Sequence, residues 1–357
     1  MSRKFLILAL AGALALAPAA ASAETRITGT PPPGFAAAVE AIVAKGAPGV
    51  TAVVMKDGRQ LYRVDAGDIA PDAELPVASA SKWMTAAVAM SLVDDGHLAL
   101  DEPIGKRLPQ FQGAAGTITL RQLLAQTGGM GSIVSNGLDL RQGARMTLAE
   151  SAAQAAARPL EDPPGTIFKY GGPGFQVVGA LAEAATGQRW ADLFAARIAR
   201  PLGLTHTRWT SLREPQVPAA ETTNPLLQGG VVTSASDYLK FLTMLAGDGR
   251  FEGRQVLSRT AVEEMERLQT GGAKMAWLPP GVDGGGRGIG YALGNWCEAW
   301  DADGRCTLVS SPGAFGTYPW IDRKSGLYGI FFERHRLPKV ATEVKAARAL
   351  AMGAARP

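Results

Sequence analysis

GVTAVVMKDGRQLYRVDAG, residues 49–67, reads as a β-hairpin: a Val-rich strand, the turn signal Asp57-Gly58, and a returning run that carries Leu61 and Val64. Comparable patterns return only near the other end of the chain, in GYALGNWCEAW (290–300), CTLVSS (306–311), AFGTYPWID (314–322) and LYGIFFER (327–334). The long intervening block is rich in Ala and Leu, with helical periodicity interrupted by Gly and Pro. One member is SASDYLKFLTMLAGDG, where Ser234 caps the start, Asp237 sits three residues on and Gly247 ends the apolar face. Further helices are expected over about Phe35–Lys45 and about Pro338–Met352, flanking the two strand regions. Strands from both chain ends, separated by helices, define an α/β two-lobed (α+β) fold. An antiparallel sheet, flanked by the terminal helices, spans about 34–78 and 288–357, and an inserted helical lobe spans about 79–287. A cleft between such lobes is where small ligands bind.

The first 23 residues have the form of a removable export signal. Arg3 and Lys4 precede an apolar run, and Ala21-Ser22-Ala23 supplies small residues at a cleavage point. The run is too short for a membrane span, and no other candidate span follows. Residues 24–357 are therefore expected as one periplasmic or secreted domain, without stable membrane insertion. Removal of Arg3 and Lys4 takes the formal charge of +4 to +2, and no basic block is present to grip nucleic acid. The two cysteines, Cys297 and Cys306, flank the Asp303-Gly304 turn signal, and in an exported chain this predicts a disulfide between them. No further Cys or His lies nearby to complete a zinc site.

Chemistry centres on LPVASASKWMTAAVAM, residues 75–90, with Ser79 and Lys82 three apart at the start of an apolar helix. There the helix dipole favours a developing alkoxide, and a desolvated Lys can serve as base. Position alone favours a plainer reading, Ser79 as an N-cap beside a solvated Lys. Other nucleophile systems have little support: Gly-x-Ser-x-Gly, His-Glu-x-x-His and a phosphate-binding Lys loop are all absent. His97, His206 and His335 fall in loop or surface contexts.

Six segments in order resemble the serine β-lactamase and penicillin-binding superfamily, in its class C-like, family VIII esterase branch. They are VASASKWMTAA, DDGHLALDEPIGKRLPQF, TITLRQLLAQTGGM, PPGTIFKYGGPGFQVVGALAEAATG, QGGVVTSASDYLKFLTMLAGDGRFEGRQVLS and SSPGAFGTYPWID. The resemblance implies a β-lactamase/transpeptidase-like fold, Ser79 as nucleophile, Lys82 as its partner and Tyr170 as the phenol that moves protons. The Lys beside Tyr170 predicts that its ionised form is favoured. It also implies an oxyanion hole made by the N–H groups of Ser79 and Ala314, and no metal or organic cofactor.

Two departures bear on substrate. Gly172 stands where the family's Tyr-x-Asn motif has its Asn, and Ser311-Pro312-Gly313 replaces the third motif, usually Lys-Thr-Gly or His-x-Gly. Both remove groups that grip penicillins or peptide carboxylates, which leaves a small neutral acyl compound as the expected substrate. Ser311 either donates a hydrogen bond to substrate or Tyr170, or serves only through its backbone, with Gly313 shaping the approach to Ala314. Pro319 predicts an edge strand, because proline cannot donate to a ladder. Trp296, Trp300, Tyr318 and Trp320 either line an acyl pocket or pack under the terminal helices. The rivals to an esterase are a β-lactamase or D-Ala-D-Ala-type peptidase, and a non-catalytic binding protein on the same scaffold.

Overall fold

A computed structural model describes residues 24–132, 143–282 and 288–353. The expected export signal, residues 1–23, lies outside them. The principal sheet has eight strands, numbered here in chain order: β1 Arg26–Gly29, β2 Gly49–Lys56, β3 Arg59–Gly67, β4 Gly290–Tyr291, β5 Trp296–Trp300, β6 Cys306–Ser310, β7 Gly316–Asp322 and β8 Leu327–Arg334. Their spatial order is β1-β3-β2-β8-β7-β6-β5-β4, and every neighbouring pair is antiparallel. The two ends of the chain meet at β2 and β8, where Val53 faces Ile330 and Ala52 faces Phe331.

Alternation along these strands sends side chains to two cores. Ala52, Val64 and Phe331 pack with Phe35, Val39 and Ile42 of α1 (Phe35–Ala44) and with Val340 and Val344 of the C-terminal helix. Val53, Ile330 and Phe332 face the opposite way, into the helical block. At the centre of that block runs α2, Ser81–Asp94, whose residues from Ser81 to Leu92 are all buried. Its sequence is small or apolar on every side, as a helix enclosed all round requires. Its hydroxyls are bonded within this dry surrounding: Ser81 Oγ donates to Ala78 O at 2.6 Å, and Thr85 Oγ1 to Leu227 O at 2.7 Å. Truncating buried Trp83 to Ala would cost about 3–5 kcal/mol. Two more helices matter below, α3 (Gly174–Thr186) and α4 (Ala235–Ala246), the latter capped by Ser234 as expected. The C-terminal helix, α5, spans Leu337–Gly353. Among the described residues no helix is long and apolar enough to cross a membrane.

Two expectations are corrected. The sheet begins at Arg26, not near residue 34, because Arg26–Gly29 pairs with β3 along its outer side. Pro319 does not lie on an edge strand: β7 sits between β8 and β6. The β6–β7 ladder ends at the pair Ser310 and Trp320, so the missing proline N–H falls where the two strands part. One bond remains beyond it, from Ser311 N to Pro319 O at 3.2 Å.

Candidate active site

Val77 N donates to Val231 O at 3.0 Å, and the chain then turns sharply through Ala78, whose φ is +45°. A single 3₁₀ turn, Ala78–Ala80, runs straight into α2. Ser79 therefore sits in this lead-in turn and not as an N-cap: the residue at that cap is Ala80, and no side chain caps the helix. A left-handed Ala costs about 1–3 kcal/mol. Neighbouring backbone holds it there, since a Cβ on Gly313 would lie 2.1 Å from Val77 O and only Gly fits.

Two groups reach half-buried Ser79. Lys82 Nζ, on a side chain all but buried, lies 3.1 Å from Ser79 Oγ and donates to Gln228 O at 2.7 Å. The Tyr170 phenol also comes within hydrogen-bonding reach of Ser79, and its ring centroid is 4.7 Å from Lys82 Nζ. The structure thus brings together Ser79, Lys82 and Tyr170. Tyr170 reaches this point from the core under α1 and α5, stacked on Trp296 with centroids 5.0 Å apart and edge-on to Tyr291. Ser79 and Lys82 approach from the helical block, so the three groups meet where the two cores adjoin.

Burial pushes the Tyr170 phenol well above its ordinary range, and the hydrogen bond with Ser79 offsets only part of that. Its resting form at neutral pH is the neutral phenol. The charge of a neighbouring Lys predicts the opposite, an ionised form that is favoured. Enclosure in aromatic rings reverses that, because desolvation penalises a phenolate.

Gly171 and Gly172 follow with φ of +88° and +82°. A Cβ on Gly172 would lie 2.5 Å from Gly131 O, so backbone occupies the space that a longer side chain would need. Gly171 N donates to Gln126 Oε1 at 2.5 Å. Gln126 belongs to a quoted segment, TITLRQLLAQTGGM, yet nothing in its local pattern singles it out.

The segment 311–314 lies directly behind Ser79. Buried Ser311 directs its hydroxyl toward Ser79 O at 3.5 Å, and neither Tyr170 nor open space receives it. Gly313 N donates to Thr317 O and Gly316 N to Gly313 O, closing a tight turn that exposes Ala314. Among the described residues, the Ala314 N–H meets no acceptor.

Of the four aromatic candidates, Trp296, Tyr318 and Trp320 are buried in the core under the terminal helices, while Trp300 is 40% exposed and packs in neither expected place. Cys297 and Cys306 form the disulfide expected of them. His97 and His206 are exposed, and His206 Nδ1 lies 3.0 Å from Glu74 Oε1. No cluster of three or more metal-ligating side chains occurs among the described residues.

Comparison with known proteins identifies the family and the fold. Esterase EstB of Burkholderia gladioli is 33% identical over 182 residues, 44% of this chain, and the match spans 45% of EstB's length. Penicillin-binding protein 4 of Amycolatopsis lactamdurans is 30% identical over 281 residues, 70% of this chain and 72% of that one. The crystal structure of a candidate β-lactamase from Bacteroides dorei superposes with a TM-score of 0.75 at 32% identity, covering 87% of this chain and 97% of the other. The family model described as Beta-lactamase matches residues 35–352, and with nearly the whole described chain inside that match, the protein belongs to the β-lactamase family.

Proposed function

We propose that the protein is an exported serine hydrolase that forms an acyl-enzyme on Ser79 and acts as an esterase on small neutral acyl compounds. The observation that carries this reading is the Ser79 hydroxyl within reach of both Lys82 Nζ, at 3.1 Å, and the Tyr170 phenol. Export rests on the pattern of residues 1–23, and the Cys297–Cys306 disulfide suits an oxidising compartment.

Ser79 Oγ attacks the substrate carbonyl carbon while its proton passes to Lys82 Nζ, 3.1 Å away. The carbonyl oxygen gains negative charge and is received by the N–H groups of Ser79 and Ala314. As the carbon–oxygen bond to the leaving alcohol breaks, the neutral Tyr170 phenol donates its proton to that alkoxide and recovers one from Lys82. Water then repeats the sequence on the acyl group, releasing the acid and restoring Ser79. Tyr170 is thus the proton donor at the leaving group, a part that requires the protonated phenol.

A neutral ester is favoured over a β-lactam by two features. The space beside Gly172 is filled by the Gly131 carbonyl, and the third motif offers Ser311 in place of a cation. The similarity to penicillin-binding protein 4 is what keeps a β-lactam or D-Ala-D-Ala-type peptide as the second reading. A fluorophosphonate probe with peptide mass mapping tests the central assignment: the label belongs on Ser79 and disappears in Ser79→Ala. The same protein should hydrolyse a butyrate ester faster than a cephalosporin, and the reverse order would overturn the substrate class. A folded protein that neither takes the label nor turns over an ester would be a binding protein.

A further inference from the structure

Behind the turn that presents Ala314 lies a buried polar clamp. Glu298, on β5, accepts hydrogen bonds from Ser310 Oγ and from the Tyr318 hydroxyl at 2.9 Å. Arg348 of α5 grips the same carboxylate with both terminal nitrogens, Nη1 to Oε1 at 2.8 Å and Nη2 to Oε2 at 2.6 Å. Its guanidinium also lies over the Tyr318 ring, 5.2 Å from the centroid. The Glu298 and Arg348 side chains are only 11% and 8% exposed.

The placement of these groups is specific. Ser310 ends β6 and Tyr318 lies at the start of β7, so the two bracket the turn 311–317. The regular β6–β7 ladder stops at Ser310, because Pro319 has no N–H to return to Ser311, and beyond it the turn is held by separate backbone bonds such as Gly313 N to Thr317 O and Leu337 N to Ala314 O. The side-chain clamp fastens both strands where the ladder cannot. On the same strand, two residues before Glu298, Trp296 stacks on Tyr170. β5 therefore supports the proton donor at one position and the oxyanion turn at the next position on that face.

We propose that Glu298, locked by Arg348, is a positioning residue for catalysis: through Ser310 and Tyr318 it fixes the turn that aims the Ala314 N–H at the oxyanion. This rests on the acyl-enzyme reading and assigns no contact with substrate. Burial works to raise the Glu298 carboxyl, but the charge and hydrogen bonds of Arg348 hold it below the usual range, so the clamp is an ion pair. An ion pair with all its hydrogen bonds made is rigid, and losing one partner leaves a buried charge uncompensated.

The test uses variants of graded severity in the full chain, with butylboronic acid as the probe. A boronate bonded to Ser79 places an oxygen in the oxyanion hole, so its affinity reports that hole and not general folding. Tyr318→Phe and Ser310→Ala each remove one bond with little change of shape. Each should lower kcat on a butyrate ester and boronate affinity together, by about tenfold, with KM within about twofold. Glu298→Gln should lose about a hundredfold, and pairing it with Arg348→Met should restore thermal stability without restoring kcat. If Glu298→Gln does not fold, the two single-bond variants decide. Variants that melt earlier but keep wild-type kcat and boronate affinity would reduce the clamp to a structural ion pair and overturn the proposal. So would recovery of full kcat in the charge-neutral double variant. A wild-type protein that takes neither fluorophosphonate nor boronate on Ser79 would instead sink the acyl-enzyme reading, and the clamp with it, so the two failures are told apart in the wild type.

Discussion

The two halves of the site are built by opposite means. Ser79 and Lys82 are three residues apart on one buried stretch, and Tyr170 meets them from a cage of aromatic rings. There side-chain identity is everything, and the helix sets the distances. The half proposed to hold the oxyanion is a backbone turn from more than two hundred residues away, exposed at Ala314 and packed against Val77 through a glycine. There the backbone matters and the turn's own side chains matter little. One half should fail when a functional group is lost, the other when the backbone is altered.

The largest effect that could break this contrast is on the proton-handling half. Ser79→Ala and Lys82→Ala should each lower turnover by about 10³-fold or more, and the double variant should be scarcely worse than either, since the residues act as one unit. A Lys82→Ala enzyme with near-normal kcat would remove the base from the account. Next comes the oxyanion half. Ala314→Pro, which deletes the donor, should cost about 10²- to 10³-fold if circular dichroism shows the fold intact, whereas Ser311→Ala should cost less than about tenfold because its hydroxyl reaches only Ser79 O. Equal losses for those two variants would erase the distinction between backbone and side chain.

Smaller effects sharpen it through stability. Gly172→Asn restores the family's residue at a position with φ +82° and backbone 2.5 Å from the new Cβ. It should destabilise by about 1–3 kcal/mol in thermal unfolding and confer no cephalosporin turnover. Last is Glu333, on β8 against Gly316, with neither carboxyl oxygen partnered among the described residues. Burial pushes its carboxyl from the ordinary 4.5 up to about 8. The folded chain thus keeps a proton that the unfolded chain releases. Stability from this group is greatest below the unfolded value and is lost as pH rises toward 8. Glu333→Gln should therefore melt increasingly above wild type as pH is raised through that window, and a constant gap would show that Glu333 does not titrate there.

Much of this was readable in the chain because it depends on local pattern. Asp57-Gly58 and Asp303-Gly304 mark hairpins that β2–β3 and β5–β6 realise, and the uniform small and apolar face of α2 announces a buried helix. What escaped depends on tertiary surroundings. Arg26–Gly29 is a four-residue strand beside a proline run, with too few residues to show alternation. Pro319 signals a missing donor, but only the diverging ends of β6 and β7 show that this is tolerated inside a sheet. The neutral state of Tyr170 follows from Trp296 and Tyr291, which lie far along the chain. Glu298 and Arg348 are fifty residues apart, and neither carries a local mark of the other.

The central claim is that substrate becomes covalently attached to Ser79. Rapid quenching of the enzyme during turnover of a butyrate ester, followed by intact and peptide mass analysis, tests it directly. The account predicts a butyryl group on the peptide containing Ser79, accumulating before the steady state and absent from Ser79→Ala. Steady turnover with a butyryl group on another residue, or undiminished turnover in Ser79→Ala, would contradict it.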